Sequence, residues 1–126
     1  MDRRCCIALF LGPLVLLGCE AEPNRLAPVH GRVLFHSQPL RSGTIVFTPD
    51  AGRGSEGPMA QANIQPDGSY TLRTANALGA TPGWHRVTVV SFDNAAVPPR
   101  YRDPEQSGLS FEVRPGQENT ININLE

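Results

Sequence analysis

From Val29 to Leu125 the chain breaks into short runs in which apolar and polar residues alternate, with turn-forming residues between them. The first, residues 29–35, puts Val29, Gly31, Val33 and Phe35 on one face and His30 and Arg32 on the other. After a turn at Ser37-Gln38-Pro39, residues 44–48 turn Ile45 and Phe47 inward, and a Gly-rich loop follows over 49–58. Residues 60–65 alternate Ala60, Ala62 and Ile64 against Gln61, Asn63 and Gln65. Pro66-Asp67-Gly68 then predicts a tight turn, because Pro presets φ and Gly accepts a positive φ. Residues 69–74 return with Tyr70 and Leu72 inward, which makes a hairpin. Residues 84–91 place His85, Val87 and Val89 on one face and Trp84 on the other. An irregular stretch over 93–108 leads to a run at 109–113. Residues 120–125 close the pattern, with Ile121, Ile123 and Leu125 inward and Asn122 and Asn124 outward.

A period of two over seven such runs is the mark of half-buried strands, one face packed and the other solvated. The sequence therefore predicts an all-β domain, a seven-stranded antiparallel β-sandwich over 29–126, preceded by a signal segment. No stretch repeats apolar residues at helical spacing, and no second domain is indicated. Twelve Gly and twelve Pro suit a chain of short strands and many turns.

The beginning of the chain follows a different rule. After Met1-Asp2-Arg3-Arg4 come thirteen residues without a charge, Cys5 to Leu17. A bilayer-spanning helix needs ~20 residues, so this run is too short to span and fits the apolar region of a secretory signal. It ends in Leu16-Leu17-Gly18-Cys19, which resembles the lipobox of bacterial lipoproteins: Leu at −3, a small residue at −1 and Cys at +1. That resemblance implies diacylglyceryl transfer to the Cys19 thiol and cleavage between Gly18 and Cys19. Residues 1–18 are then a signal peptide and 19–28 a polar tether to the domain. Two acyl chains make the anchoring durable, whereas one alone is marginal. The expected address is the cell envelope, with the protein lipid-anchored on the periplasmic side or at the outer membrane.

Charge and cysteine content agree with that reading. Lysine is absent, and the formal net charge is −1. Losing Asp2, Arg3 and Arg4 with the signal leaves nine Arg against eleven acids, or −2, so no nucleic acid partner is expected. All three cysteines, Cys5, Cys6 and Cys19, precede the predicted domain, which therefore has no disulfide to stabilise it.

The body also carries a family resemblance. Val29-x-Gly31-x-Val33, Pro39-Leu40-x-x-Gly43-x-Ile45-x-Phe47-x-Pro49, Asp67-Gly68-x-Tyr70-x-Leu72-x-Thr74 and Gly79-Ala80-x-Pro82-Gly83-x-His85-x-Val87-x-Val89 resemble the carboxypeptidase regulatory-like domains. Their fold is a transthyretin-like (prealbumin-like) sandwich. The segment Pro99-x-Tyr101-x-Asp103-Pro104-x-x-Ser107-Gly108-Leu109 is similar to small bacterial lipoproteins built on that domain. Ser37-Gln38 departs from the Gly that usually stands in the first turn of the family. The resemblance implies an accessory, folding or interaction module.

Candidate chemistry is sparse. His30, His36 and His85 are the only histidines, and their placement predicts neither a metal site nor a cofactor. No serine sits in a nucleophile-elbow context, and the carboxylates are scattered singly, so catalytic residues are not expected. Interaction candidates are Trp84 and the 98–104 loop with Arg100, Tyr101 and Arg102, since aromatic and Arg side chains dominate recognition hot spots. The competing expectation is that Tyr101 packs back on the sandwich and Trp84 lies under the long loop. The sequence thus favours a non-enzymatic structural or interaction module with an envelope protein or polysaccharide as partner. The alternative is a carbohydrate- or small-ligand-binding module using Trp84 and the 98–104 loop.

Overall fold

The computed structural model describes residues 25–126. The expected signal peptide, the Gly18–Cys19 cleavage and lipidation site, and the first part of the tether lie outside the described residues. The rest is all-β, with two sheets facing each other around a shared core.

The five-stranded sheet is built on β1 (Val29–Phe35), flanked on one side by β2 (Gln38–Pro39) and β5 (Ser69–Thr71). On its other side lie β10 (Asn119–Thr120) and β11 (Ile123–Leu125). The six-stranded sheet holds β3 (Thr44–Pro49), β4 (Ala60–Asn63), β6 (Arg73–Thr74), β7 (Ala77–Leu78), β8 (Gly83–Val90) and β9 (Ser110–Val113). Its strand order is β7-β6-β4-β3-β8-β9, all antiparallel. Side chains predicted to face inward do so: Val29, Val33, Ile45, Phe47, Leu72, Val87, Val89 and Ile123 are fully buried. Leu109 and Phe111 are only half-buried, packed against that core.

Three features go beyond the pattern. The predicted strand over 69–74 is two strands, because the chain changes sheets at Leu72. Its N–H donates to the Val29 carbonyl in one sheet, and its carbonyl accepts from Gly79 N on the other. Secondly, β1 runs parallel to β10 and β11, although every other pair is antiparallel. Strand β9 ends where β1 begins, so the closing run must travel in the direction of β1. Thirdly, the turn between β1 and β2 places His36 and Ser37 both at positive φ, 52° and 68°. That is a two-residue turn matching sheet twist, made here without glycine. Stacking of the His36 ring on Phe35, with centroids 4.1 Å apart, accompanies it.

The closing run is broken between β10 and β11 at Ile121, and this break ties the closing run to β5 and β1 within the five-stranded sheet. The Ile121 carbonyl turns inward and accepts a hydrogen bond from the buried Tyr70 hydroxyl. Arg32 N, which the backbone leaves free there, donates to the Asn122 side chain at 3.0 Å. Burial raises the Tyr70 pKa far above its ordinary value, which keeps the hydroxyl protonated as a donor. Gly31 lies directly under the same carbonyl: a Cβ there would stand 1.9 Å from the Ile121 oxygen.

Candidate functional site

The end of the sandwich where the chain enters is the more elaborate one. Ala27 exchanges two backbone hydrogen bonds with Ala80, at 2.9 and 3.0 Å. The Pro28 carbonyl accepts from Asn119 N at 2.9 Å. The Asn119 side chain is buried and donates to the carbonyls of Arg114 and Gln117, while its Oδ1 accepts from Arg114 N. One amide thus pins the β9–β10 turn against the entry point. Ala27 and Pro28, read from the sequence as the end of the tether, are held in the sandwich.

Beside this entry the Gly-rich loop folds back on Trp84. Asp50 caps a single 3-10 turn over Ala51–Arg53, its Oδ1 accepting from Gly52 N at 3.0 Å. Its Oδ2 lies 3.3 Å from Arg86 Nε and 3.8 Å from Arg53 Nε. The carboxylate is 6 % exposed, whereas both arginines reach into solvent. Arg53 then lies over the indole of Trp84, 4.2 Å from its centroid, and Ser55 Oγ accepts from Trp84 N at 2.8 Å. The position before Trp84 must be Gly, since its φ is +122° and a Cβ would meet Ser55 Oγ at 2.7 Å. Nothing in the local sequence pairs Asp50 with Arg86; only the β3–β8 register does so.

The expected recognition residues differ in burial. Trp84 is half-buried, but beneath the 50–55 loop rather than beneath 93–108 as expected. Tyr101 is only 4 % exposed, in the 3-10 turn Pro99–Arg102. Its hydroxyl accepts from Glu126 N at 3.1 Å and from Arg100 Nη2 at 2.8 Å, which fastens the long loop to the far end of the sandwich. Arg100 also lies over the Tyr101 ring, at 4.6 Å. Arg100 and Arg102 are exposed, but the aromatic anchor between them points inward. Arg86 links the two segments, its Nε 3.3 Å from Asp50 and its Nη1 donating to the Pro104 carbonyl at 3.4 Å. With Tyr101 buried and Trp84 half-buried, the two rings do not stand exposed side by side.

Nor do the histidines converge. His30 Nε2 lies 3.1 Å from Glu118 at the surface, His36 stacks on Phe35, and His85 is fully buried. Among the described residues no group of three or more metal-ligating side chains forms. His85 Nε2 donates to the Thr81 carbonyl at 2.8 Å, and Nδ1 has no partner. Burial holds the His85 pKa below its ordinary 6.5, against a smaller opposing effect of the Thr81 hydrogen bond. The unfolded chain therefore takes up a proton that the folded chain refuses, and stability falls as pH drops below about 6.5. Urea titrations at a series of pH values should show this slope in the wild type and a flatter one in His85→Gln. Equal slopes would contradict it.

An open groove of about 560 Å³ lies where β4 and β5 diverge toward different sheets. Gln61, Asn63, Gln65, Thr71 and Arg73 line it, offering amides, a hydroxyl and one guanidinium. No family model, curated protein or solved structure matches the chain. The chemistry on display is that of Asp50, a buried carboxylate satisfied by two arginines and a backbone amide.

Proposed function

We propose that this protein is a non-enzymatic structural or interaction module of the bacterial cell envelope, held at a membrane face by lipid on Cys19. The observation that carries the reading is Leu16-Leu17-Gly18-Cys19 at the end of an uncharged run too short to span a bilayer. The thiol supplies the nucleophile for diacylglyceryl transfer, and the small Gly18 gives a signal peptidase access to the bond before Cys19. Polar residues follow, and the body they lead to contains no cysteine. The motif resemblance to carboxypeptidase regulatory-like domains supports an accessory role, with another envelope protein or a polysaccharide as its partner.

Replacing the thiol by a hydroxyl tests the anchor. Cys19→Ser abolishes thioether formation, so the chain is expected to move from the membrane pellet to the soluble fraction, or to accumulate uncleaved. Without two acyl chains the remaining membrane affinity is too small to hold it. Wild-type and Cys19→Ser proteins that are processed alike and sediment alike with membranes would refute the proposal.

A further inference from the structure

We infer that the outer corner of the six-stranded sheet beside the entry point, formed by Met59, Arg73 and Leu78, rests on an anionic bilayer surface. The inference builds on the Cys19 anchor. Met59 and Leu78 are two of the three large apolar side chains that stand out in the described residues, 54 % and 59 % exposed. They flank β6 on the outer face of the sheet. Leu78 is the cross-strand neighbour of Arg73, Arg73 is that of Gln61, and Met59 lies two residues before Gln61 on the same face. Side chains at these spacings share one patch.

Its position points to the occupant. A Cβ on Gly79, next to Leu78, would stand 2.6 Å from the Ala27 carbonyl oxygen and 3.2 Å from Leu26 Cβ, so the patch lies beside the point where the chain enters the body. From Cys19 to Ala27 the chain spans eight residues, at most ~29 Å fully extended. The patch is thus confined near the bilayer at high effective concentration, where a weak contact is sufficient. Charge agrees: from residue 57 to residue 92 the only acid is Asp67, in the turn at the opposite end, so Arg73 faces no carboxylate of its own strands. Two apolar side chains around a guanidinium match the interface between headgroups and acyl chains. The third exposed apolar residue, Phe92, is 69 % exposed in the loop after β8 at the far end, and serves as the internal control.

With Cys19 blocked by lipid, the mature chain has no other thiol, so single cysteines can be labelled. Met59→Cys, Leu78→Cys and Phe92→Cys, each carrying an environment-sensitive fluorophore, are reconstituted as the lipidated protein in phosphatidylethanolamine–phosphatidylglycerol vesicles. Spin-labelled lipid is expected to quench the probes at 59 and 78 about threefold more than the probe at 92, with blue-shifted emission. Adding Arg73→Glu should reduce that difference. Equal quenching at all three sites, with the protein still on the vesicles, would overturn the inference and leave the anchor intact. A second label appearing on Cys19 would instead show a free thiol, and it is the anchor that would fail.

Discussion

Gly31→Ala is expected to lower the unfolding free energy by about 3 kcal/mol, a loss of roughly 15 °C in melting temperature for a body of this size. The added methyl would stand 1.9 Å from the Ile121 oxygen and 2.6 Å from its carbon, both backbone atoms that no rotamer change can move aside. Glycine is not held there by its backbone angles, since Gly31 has no positive φ. In an open strand, therefore, the exchange would be mildly stabilising, because Ala restricts the unfolded chain by ~0.4–1 kcal/mol. Steric overlap is the larger effect and sets the sign. The closing run cannot retreat without breaking the Tyr70 hydroxyl bond to the same carbonyl and the Asn122 bond to Arg32 N. Urea unfolding of the two proteins measures the difference. A Gly31→Ala protein as stable as wild type would mean that the closing run does not lie against β1 in this register.

Asp50→Ala is expected to cost about 2 kcal/mol. Losing a fully buried ion-pair partner would cost more, about 3–5 kcal/mol, but Arg53 and Arg86 are 51 % and 44 % exposed and regain water once the carboxylate is gone. What remains is the orphaned Gly52 N–H and the loss of the element that folds the 50–55 loop over Trp84. Asp50→Asn keeps an acceptor for Gly52 and should recover about half of the loss. Trp84 is the only tryptophan, so its emission reports the loop directly. Release of Arg53 from the indole should alter intensity and wavelength in Asp50→Ala and much less in Asp50→Asn. Unchanged emission in Asp50→Ala would contradict the role given to this carboxylate.

The parts of the fold that were legible in the sequence are those set by side-chain alternation. Inward positions at Val29, Val33, Ile45, Phe47, Val87 and Val89 follow from a period of two, and all are buried. Alternation says nothing of strand direction, so the parallel pairing of β1 with β10 and β11 was not visible. Nor does it show a chain changing sheets, because Leu72 keeps its inward phase while its two backbone hydrogen bonds go to different sheets. The site was less legible still. Asp50 and Arg53 share one turn and Trp84 and Arg86 share one strand face, but only the β3–β8 register brings the two pairs together. For Tyr101 the sequence offered two readings, an anchor for a partner or a ring packed back on the sandwich, and the ring is buried. What the sequence did not show is that its hydroxyl holds the backbone at Glu126, a contact that depends on the complete fold.

In the proposed function, the place of this body in the cell depends on one sulfur atom. Mass spectrometry of the N-terminal peptide of the mature protein, purified from membranes, tests that most directly. The expected product begins at Cys19 and carries a diacylglyceryl thioether. A peptide beginning at Met1, or Cys19 recovered with a free thiol, would contradict the account.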